Sequence, residues 1–407
     1  MATPRTPHEA VLHAARDLAK VPTALDAEML GAALLGSVYA VADAPRPEAV
    51  RDFVGEFLAA TSRRRTVSAR AIRSVFAALV PDATGAARVI PGTDPAPWAG
   101  QLGRARTVGT WAYGDVYGDQ TSYLAVFTYD DPDVGGGEHA VVALVDHNVG
   151  IVKDLFVGRP AHTVLDEVRA AAGTDEMIWF TEVDPAAWRA QVSFYLEITD
   201  RLSALPSEGE LATDRALVAA RLAGMPANGA APGSGDAAGA SPDPDALARA
   251  FLGSAHAAGL DRDSDQAEAA LRYAVQLILD FARDAPDTDP LRWSPAVVGL
   301  FLLDWVHRRA ILDDDDVTAL PPVLRAWTSW AAERRGLPPA AVAEIARAID
   351  SMAPEFARLH RTGERRSAAV SAASQMVAEG VDPSDEVAVS AWLDEGKGEP
   401  YGIPRQG

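Results

Sequence analysis

The sequence predicts an α+β protein: a helical N-terminal section packed with a small antiparallel β-meander and its covering helices, followed by a separate all-α C-terminal domain. Three observations predict it. Apolar residues recur at helical spacing over most of the chain. From Trp111 to Val157 that pattern gives way to three β-rich runs, separated by Asp/Pro/Gly and Asp/His/Asn/Gly breaks suited to turns. A segment rich in Gly, Ala, Pro and Ser, AGMPANGAAPGSGDAAGASPD from Ala223 to Asp243, then separates this part from a stretch with little strand signal.

Residues 1–80 read as helical: Val11, Leu12, Ala15, Leu18 and Ala19 share one face, as do Phe53, Val54, Phe57 and Leu58. Between them DAPRP at 43–47 marks a break, and Pro47 suits the first turn of the next helix. A third helix is expected from Ser68 to Leu79, stopping before Pro81. Residues 81–222 form the second section. Its first part, 81–104, reads as a connector, and the strands follow. A helix is expected from Thr163 to Ala172, then the apolar run MIWFTEV at 177–183. Asp184 before Pro185 starts the amphipathic helix AAWRAQVSFYLEITDRL. The economical arrangement places both helices on one side of the sheet.

Residues 223–244 are expected to be a flexible linker, 245–395 a helical domain and 396–407 a tail. In the helical domain Ser294 before Pro295 caps AVVGLFLLDWVHRRA, whose apolar residues run nearly all round and predict a central buried helix. PPVLRAWTSWAAERRG ends at Gly336, and Pro354 is expected to end or kink the helix begun by PPAAVAEIARAIDSM. Trp293, Trp305, Trp327 and Trp330 lie in apolar helical runs and are read as core.

Composition removes whole classes of function. With 407 residues, 48% of them hydrophobic, the chain can bury substantial cores, and about 150 residues per domain gives two or three of them. A net charge of −20 disfavours nucleic acid as a partner, because phosphate binding needs a concentrated basic surface. The absence of cysteine excludes disulfides, thiolate metal sites and cysteine nucleophiles. MATPRTPHEAVLHAARDLAK mixes charge into its apolar residues, unlike a signal peptide. No uninterrupted apolar run reaches the roughly 18–20 residues of a membrane span. The expectation is a soluble cytoplasmic protein that makes no membrane contact.

The chemistry-bearing residues concentrate in the strands. With the first turn at Asp131–Gly137, Asp130 lies opposite Glu138, Ser122 opposite Asp146 and Thr121 opposite His147. Asp115, Asp119, Asp146 and His147 then gather at one end of the sheet, where carboxylates and an imidazole suit a divalent metal. Asp119, Asp146 and His147 are the corresponding catalytic candidates for acid/base work. The same residue types populate turns regardless of function, and that is the preferred reading. His139 and His147 cannot share a metal, since eight residues of strand at about 3.3 Å each span roughly 26 Å. No cofactor is expected beyond that possible divalent metal.

Other features carry less chemistry. Asp313–Asp316 lacks the alternating ligand spacing of a calcium loop and reads as a solvated loop that helps cap the next helix. Asp304 and Arg308 are spaced to pair on one helix face. Arg63, Arg64, Arg65, Arg70 and Arg73 form the one basic cluster, expected to pair with the chain's own carboxylates. Gly135–Gly137 lacks the following helix that a phosphate cradle requires. No Gly-x-Ser-x-Gly elbow and no His-Glu-x-x-His motif occur.

The runs WAYGDVYGDQTSYLAVFTY and EHAVVALVDHNVGIVKDLFV, with WSPAVVGLFLLDWVHRRAILDDDDVTALPPVLRAWTSWAAERRGL after the linker, resemble an uncharacterised family of high-GC actinobacterial proteins. The resemblance implies a cytoplasmic bacterial protein with a helical, β-meander, helical layout; with no established activity in that family, it assigns no catalytic residue. The expected function is binding or scaffolding of a protein partner by two tethered units. The alternative is a metal-assisted hydrolase using Asp119, Asp146 and His147. A third reading is a small-ligand sensor with its pocket between the sheet and its covering helices.

Overall fold

A computed structural model describes residues 6–43, 45–84, 96–206, 211–227, 243–284, 289–381, 388 and 390–392. The chain is α+β, and it divides into two compact units, Met1–Ala237 and Ala238–Gly407. The division falls inside the segment expected as a linker, of which residues 228–242 lie outside the described residues, as do residues 85–95 of the connector and the 396–407 tail.

Unit 1 begins with α1 (Pro7–Ala14), α2 (Ala24–Val41), α3 (Arg46–Thr61) and α4 (Val67–Leu79). Three of these start at a threonine. Thr6, Thr23 and Thr66 accept the backbone amides of Glu9, Asp26 and Ala69, satisfying donors that a helix start leaves free. Pro47 sits in the first turn of α3. Of these helices, α2 is long and apolar enough to cross a membrane, yet half of it is buried inside unit 1 and Asp26 and Glu28 interrupt its apolar run.

The sheet follows, with β1 (Arg106–Asp115), β2 (Gln120–Thr128), a short helix α5 (Pro132–Gly135), β3 (His139–Asp146) and β4 (Ile151–Gly158). Then come α6 (Ala161–Thr174), β5 (Ile178–Glu182), α7 (Pro185–Asp200) and α8 (Leu211–Ala223). The strands are antiparallel in the order β4-β3-β2-β1-β5. The first of the three expected runs is thus two strands, folded back at Gly118, whose φ of 80° suits the turn.

Register differs from expectation by two residues: Gln120, not Ser122, faces Asp146, Thr121 faces Val145, and the last β2–β3 pair is Phe127 with His139. The cause is α5, a helical turn capped by Asp131, which takes up more chain than a simple hairpin turn. A two-residue slip keeps every side chain on its face. The coverage of those faces also differs. Tyr123, Ala125 and Phe127 enter a large core with Trp188, Val192 and Leu196 of α7. Leu124 and Val126 enter a smaller core with Ala161 and Leu165 of α6. The two helices therefore lie on opposite faces, because β2 and β3 are apolar on both sides and one uncovered face would leave those side chains in water.

Asp184 caps α7 as expected, its Oδ1 accepting the amides of Ala186 and Ala187 at 2.9 and 3.0 Å. Asp184→Ala is expected to cost about 1 kcal/mol, read as a lowered urea midpoint for exchange of the unit 1 sheet amides. Residues 223–227 belong to this unit rather than to a linker: Ala223 closes α8, and Met225 is a buried core residue whose carbonyl accepts from Arg189.

Unit 2 contains α9 (Pro244–Leu252), α10 (Asp265–Asp284), α11 (Pro295–Leu300), a π-helical turn Phe301–Trp305, α12 (Val306–Arg309), α13 (Asp314–Arg335), α14 (Pro339–Thr362) and α15 (Ala368–Ala378). Among its described residues no strand occurs. Ser294 accepts the Val297 amide and Gly336 ends α13 with a φ of 67°. Asp313 and Asp316 form a reciprocal cap, and Asp314–Asp316 are the first turn of α13 rather than a loop. Pro354 does not end α14, which continues to Thr362. Trp293, Trp327 and Trp330 are buried, whereas Trp305 is half-buried and donates to Asp284 at 3.0 Å. Arg308 pairs with Asp304 at 2.8 Å.

Candidate functional site

The strand-end residues Asp115, Asp119, Asp146 and His147 do come to one end of the sheet, where the Asp115 and Asp146 carboxylates close turns. The Asp115 carboxylate accepts the amides of Asp119 and Gln120 at 3.1 and 2.8 Å, closing the β1–β2 turn. Asp146 accepts the Asn148 amide at 3.0 Å, and Gly150 completes that turn with a φ of 75°. The His147 amide donates to the Asp119 carbonyl at 2.9 Å, tying the two turns together. Its ring bonds on both sides, Nε2 with Thr121 Oγ1 at 2.9 Å and Nδ1 with the Tyr195 hydroxyl at 3.2 Å. Among the described residues, no three His, Asp or Glu side chains gather as a metal ion requires. Burial, with the Tyr195 hydroxyl nearby, pushes the Tyr123 phenol up to about 12, so it stays protonated at neutral pH.

A buried cluster that the sequence reading missed lies between α2, β3 and α8. Arg221 donates to Glu28 at 2.6 Å, to the Tyr129 hydroxyl at 2.6 Å and to His139 Nε2 at 3.1 Å. Tyr129 donates to Glu28 at 2.6 Å, and the Gly103 amide donates to the other carboxylate oxygen at 2.7 Å. The one sequence signal was Glu28 itself, a charge on an apolar helix. Nothing local points to Arg221, 193 residues away.

His139 makes this cluster acid-sensitive. Burial, then the Arg221 guanidinium, push its pKa down to about 3, so the folded protein keeps it neutral. An unfolded chain protonates the same histidine near 6.5. Its contribution to stability is full above about pH 6.5 and is lost as pH falls toward 3, at up to about 1.4 kcal/mol per unit. His139→Gln keeps an acceptor for Arg221 without titrating. Urea unfolding at pH 7, 5.5 and 4.5 is expected to show a shallower loss of stability in that variant than in the parent; parallel losses would assign the acid sensitivity to carboxylates.

A cavity of about 180 Å³ lies among α2, α3, α8 and the end of α4. Its origin is the face of α8 carrying Ala212, Ala216, Ala219, Ala220 and Ala223, whose short side chains leave space beside Leu35, Val50 and Leu79. One wall is polar. Tyr39 donates to Asp200 at 2.6 Å, and Arg215 grips the same carboxylate through two bonds of 3.1 and 2.6 Å. Burial and the Asp200 carboxylate raise the Tyr39 hydroxyl well above the usual phenol range, so it acts as a fixed donor. Arg51 and Asp82 are exposed at the rim. Among the described lining residues there is no serine, threonine, cysteine, histidine or lysine, and the one carboxylate is that of Asp82 at the rim.

No protein-family model matches the chain, nor does any curated protein or solved structure. Function therefore rests on residues and geometry. The cavity is lined by helices, not placed between sheet and helices as the sensor reading expected. The alanine spacing of α8 was the signal that could have found it. In the basic cluster, Arg73 donates to the carbonyls of Thr61 and Arg64 and so closes the end of α3, while Arg63, Arg64 and Arg65 are exposed.

Proposed function

We propose that this chain is a bacterial, cytoplasmic binding protein of actinobacterial kinship, in which unit 1 receives a small, largely apolar ligand in its helix-lined cavity. The observation that carries this reading is that cavity of about 180 Å³, with aliphatic walls and a fixed Tyr39–Asp200–Arg215 set on one side. A cavity of about 150 Å³ with similar walls holds a benzene ring. The ligand class is therefore a single aromatic ring or a short aliphatic chain. Two folded units in one chain also hold a second, protein partner near that ligand without any chemistry. Metal-assisted hydrolysis at Asp119, Asp146 and His147 has less support, since the Asp146 carboxylate closes a turn and the His147 ring nitrogens bond to Thr121 of β2 and Tyr195 of α7.

Toluene is the test probe. Titrated into the full chain, it is expected to shift the methyl resonances of Leu35, Val50 and Leu79 and to raise the melting temperature of unit 1. Ala216→Phe, which fills the cavity, should abolish both effects while leaving the sheet resonances in place; Ala219→Leu serves if that variant does not fold. Unmoved methyls at saturating toluene would sink the reading.

A further inference from the structure

The two edges of the sheet in unit 1 are finished differently. At the β4 edge the outward amides of Val152, Leu155 and Val157 are each taken by a side-chain oxygen, from Thr199 at 2.9 Å, Asp154 at 2.9 Å and Asp214 at 2.8 Å. Thr199 and Asp214 stand on the covering helices α7 and α8. An edge closed in this way offers no row of donors and acceptors to another strand. At the opposite edge β5 pairs with β1 alone. The Val116 amide donates to the Met177 carbonyl and the Val183 amide to the Thr110 carbonyl, which sets the residues whose backbone faces β1. They are Met177, Trp179, Thr181 and Val183, so the backbone of Ile178, Phe180 and Glu182 faces outward.

Two of these outward groups are used locally: the Ile178 amide donates to the Asp175 carbonyl, and the Glu182 carbonyl accepts the Thr181 hydroxyl at 3.4 Å. The Phe180 amide and carbonyl, the Ile178 carbonyl and the Glu182 amide have no partner among the described residues. The side chains beside them give this edge a sign. Asp175, Glu176, Glu182 and Asp184 are all exposed, and no lysine or arginine lies between residues 175 and 184. Asp175 and Asp184 accept backbone amides next to them, whereas Glu176 and Glu182 have no ion-pair partner among the described residues. Arg169 of α6 lies over the rings of Trp111 and Phe180, at 5.6 and 5.7 Å, with Asp166 beside it at 4.0 Å.

We propose that β5 takes up an extended, cationic segment of a protein partner as a sixth strand, antiparallel like every other pair in the sheet. The inference rests on the protein partner of the proposed function and gives that partner a surface; the ligand of the helix-lined cavity is independent of it. Backbone bonds to Phe180 and Glu182 supply the pairing, and side chains select the segment. The residue opposite Glu182 is basic, because opposite charges attract across paired strands. The residue two positions further on lies opposite half-buried Phe180, on the face covered by α6, and is apolar. A second basic residue comes near Glu176, which precedes Glu182 by six positions. A second copy of this chain fits less well, since two such edges would set their carboxylates along one seam.

The probe is the blocked heptapeptide KTVTVTK, titrated into the full chain beside ETVTVTE and a KTVTVTK N-methylated at its first valine, and read by amide resonances and hydrogen exchange. KTVTVTK is expected to slow exchange of the Phe180 and Glu182 amides without changing that of Val157, and to bind about tenfold more tightly than ETVTVTE at low salt. N-methylation removes the donor opposite Phe180 and should abolish the protection. Glu182→Lys should bring the ratio of the two peptides to about one. Glu182→Pro removes an outward donor at a position where an edge strand tolerates proline, and should abolish binding. If that variant does not fold, Glu176→Lys with Glu182→Lys should reverse the preference. Toluene should still move the cavity methyls in each folded variant, which separates failure here from failure of the cavity reading. Unprotected amides at saturating KTVTVTK, or equal affinity for the two peptides, overturns the proposal. So does a concentration-dependent dimer that protects the same amides without peptide, which would assign the edge to a second copy.

Discussion

Arg221→Met is expected to remove about 3–5 kcal/mol from the stability of unit 1, the usual consequence of leaving a buried charge without its partner. The side chains of Arg221 and Glu28 are 3% and 1% exposed, so solvent cannot take the place of the missing cation. Tyr129 and the Gly103 amide would remain on the carboxylate, but neither neutralises it. The guanidinium also lies over the rings of Tyr129 and Phe127, at 5.5 and 5.9 Å, and the methionine recovers only part of that packing. Removing both charges is expected to behave differently. Glu28→Leu with Arg221→Met should recover most of the loss, because an apolar pair of similar volume carries no desolvation penalty. Urea unfolding followed by exchange of the β2 and β3 amides measures both variants. A loss under about 1 kcal/mol for Arg221→Met would mean that Glu28 finds a proton or a water at little cost, and the cluster would then not pin the helices to the sheet.

Alanine substitution at two helical glycines should shift stability in opposite directions. At Gly36 in α2, a Cβ would stand 2.4 Å from the Ala212 carbonyl oxygen and 2.8 Å from Thr213 Cα, both backbone atoms of α8 that no rotamer change can move. The two helices must part, and overpacking of this kind costs about 1–3 kcal/mol. Gly36 also lines the cavity, so toluene binding should weaken with it. At Gly299 in α11 the nearest atoms are the Met352 Cε and Sδ at 3.6 and 3.7 Å, which is ordinary contact. There the helix propensity of alanine acts alone and should stabilise unit 2 by about 0.5–1 kcal/mol. Melting curves resolved by unit give both signs. A neutral Gly36→Ala would show that α8 shifts freely, and the cavity would lose its rigid wall.

The amino-acid sequence by itself determined what depends on a few neighbouring residues. Thr66, Asp184, Ser294 and Asp313 start helices, because each side-chain oxygen reaches an amide two or three positions on. Gly336 ends one, and Asp115, Asp146, Gly118 and Gly150 make the strand turns, through backbone conformations and bonds that need no distant partner. The α+β class follows from such signals. The same locality explains why candidate metal ligands and turn residues were indistinguishable in sequence, since an aspartate that closes a turn and one that binds an ion occupy the same kind of position. Tertiary structure decided the rest. The β2–β3 register depended on α5, the placement of α6 and α7 on opposite faces on both sides of β2 being apolar, and the path through Pro354 on the helix continuing beyond it. Arg221 meets Glu28 across 193 residues, and the alanines of α8 become a cavity only where Gly36 brings α2 against them. These contacts are set by complementary shape and charge between segments distant in the chain, which periodicity within one segment does not encode.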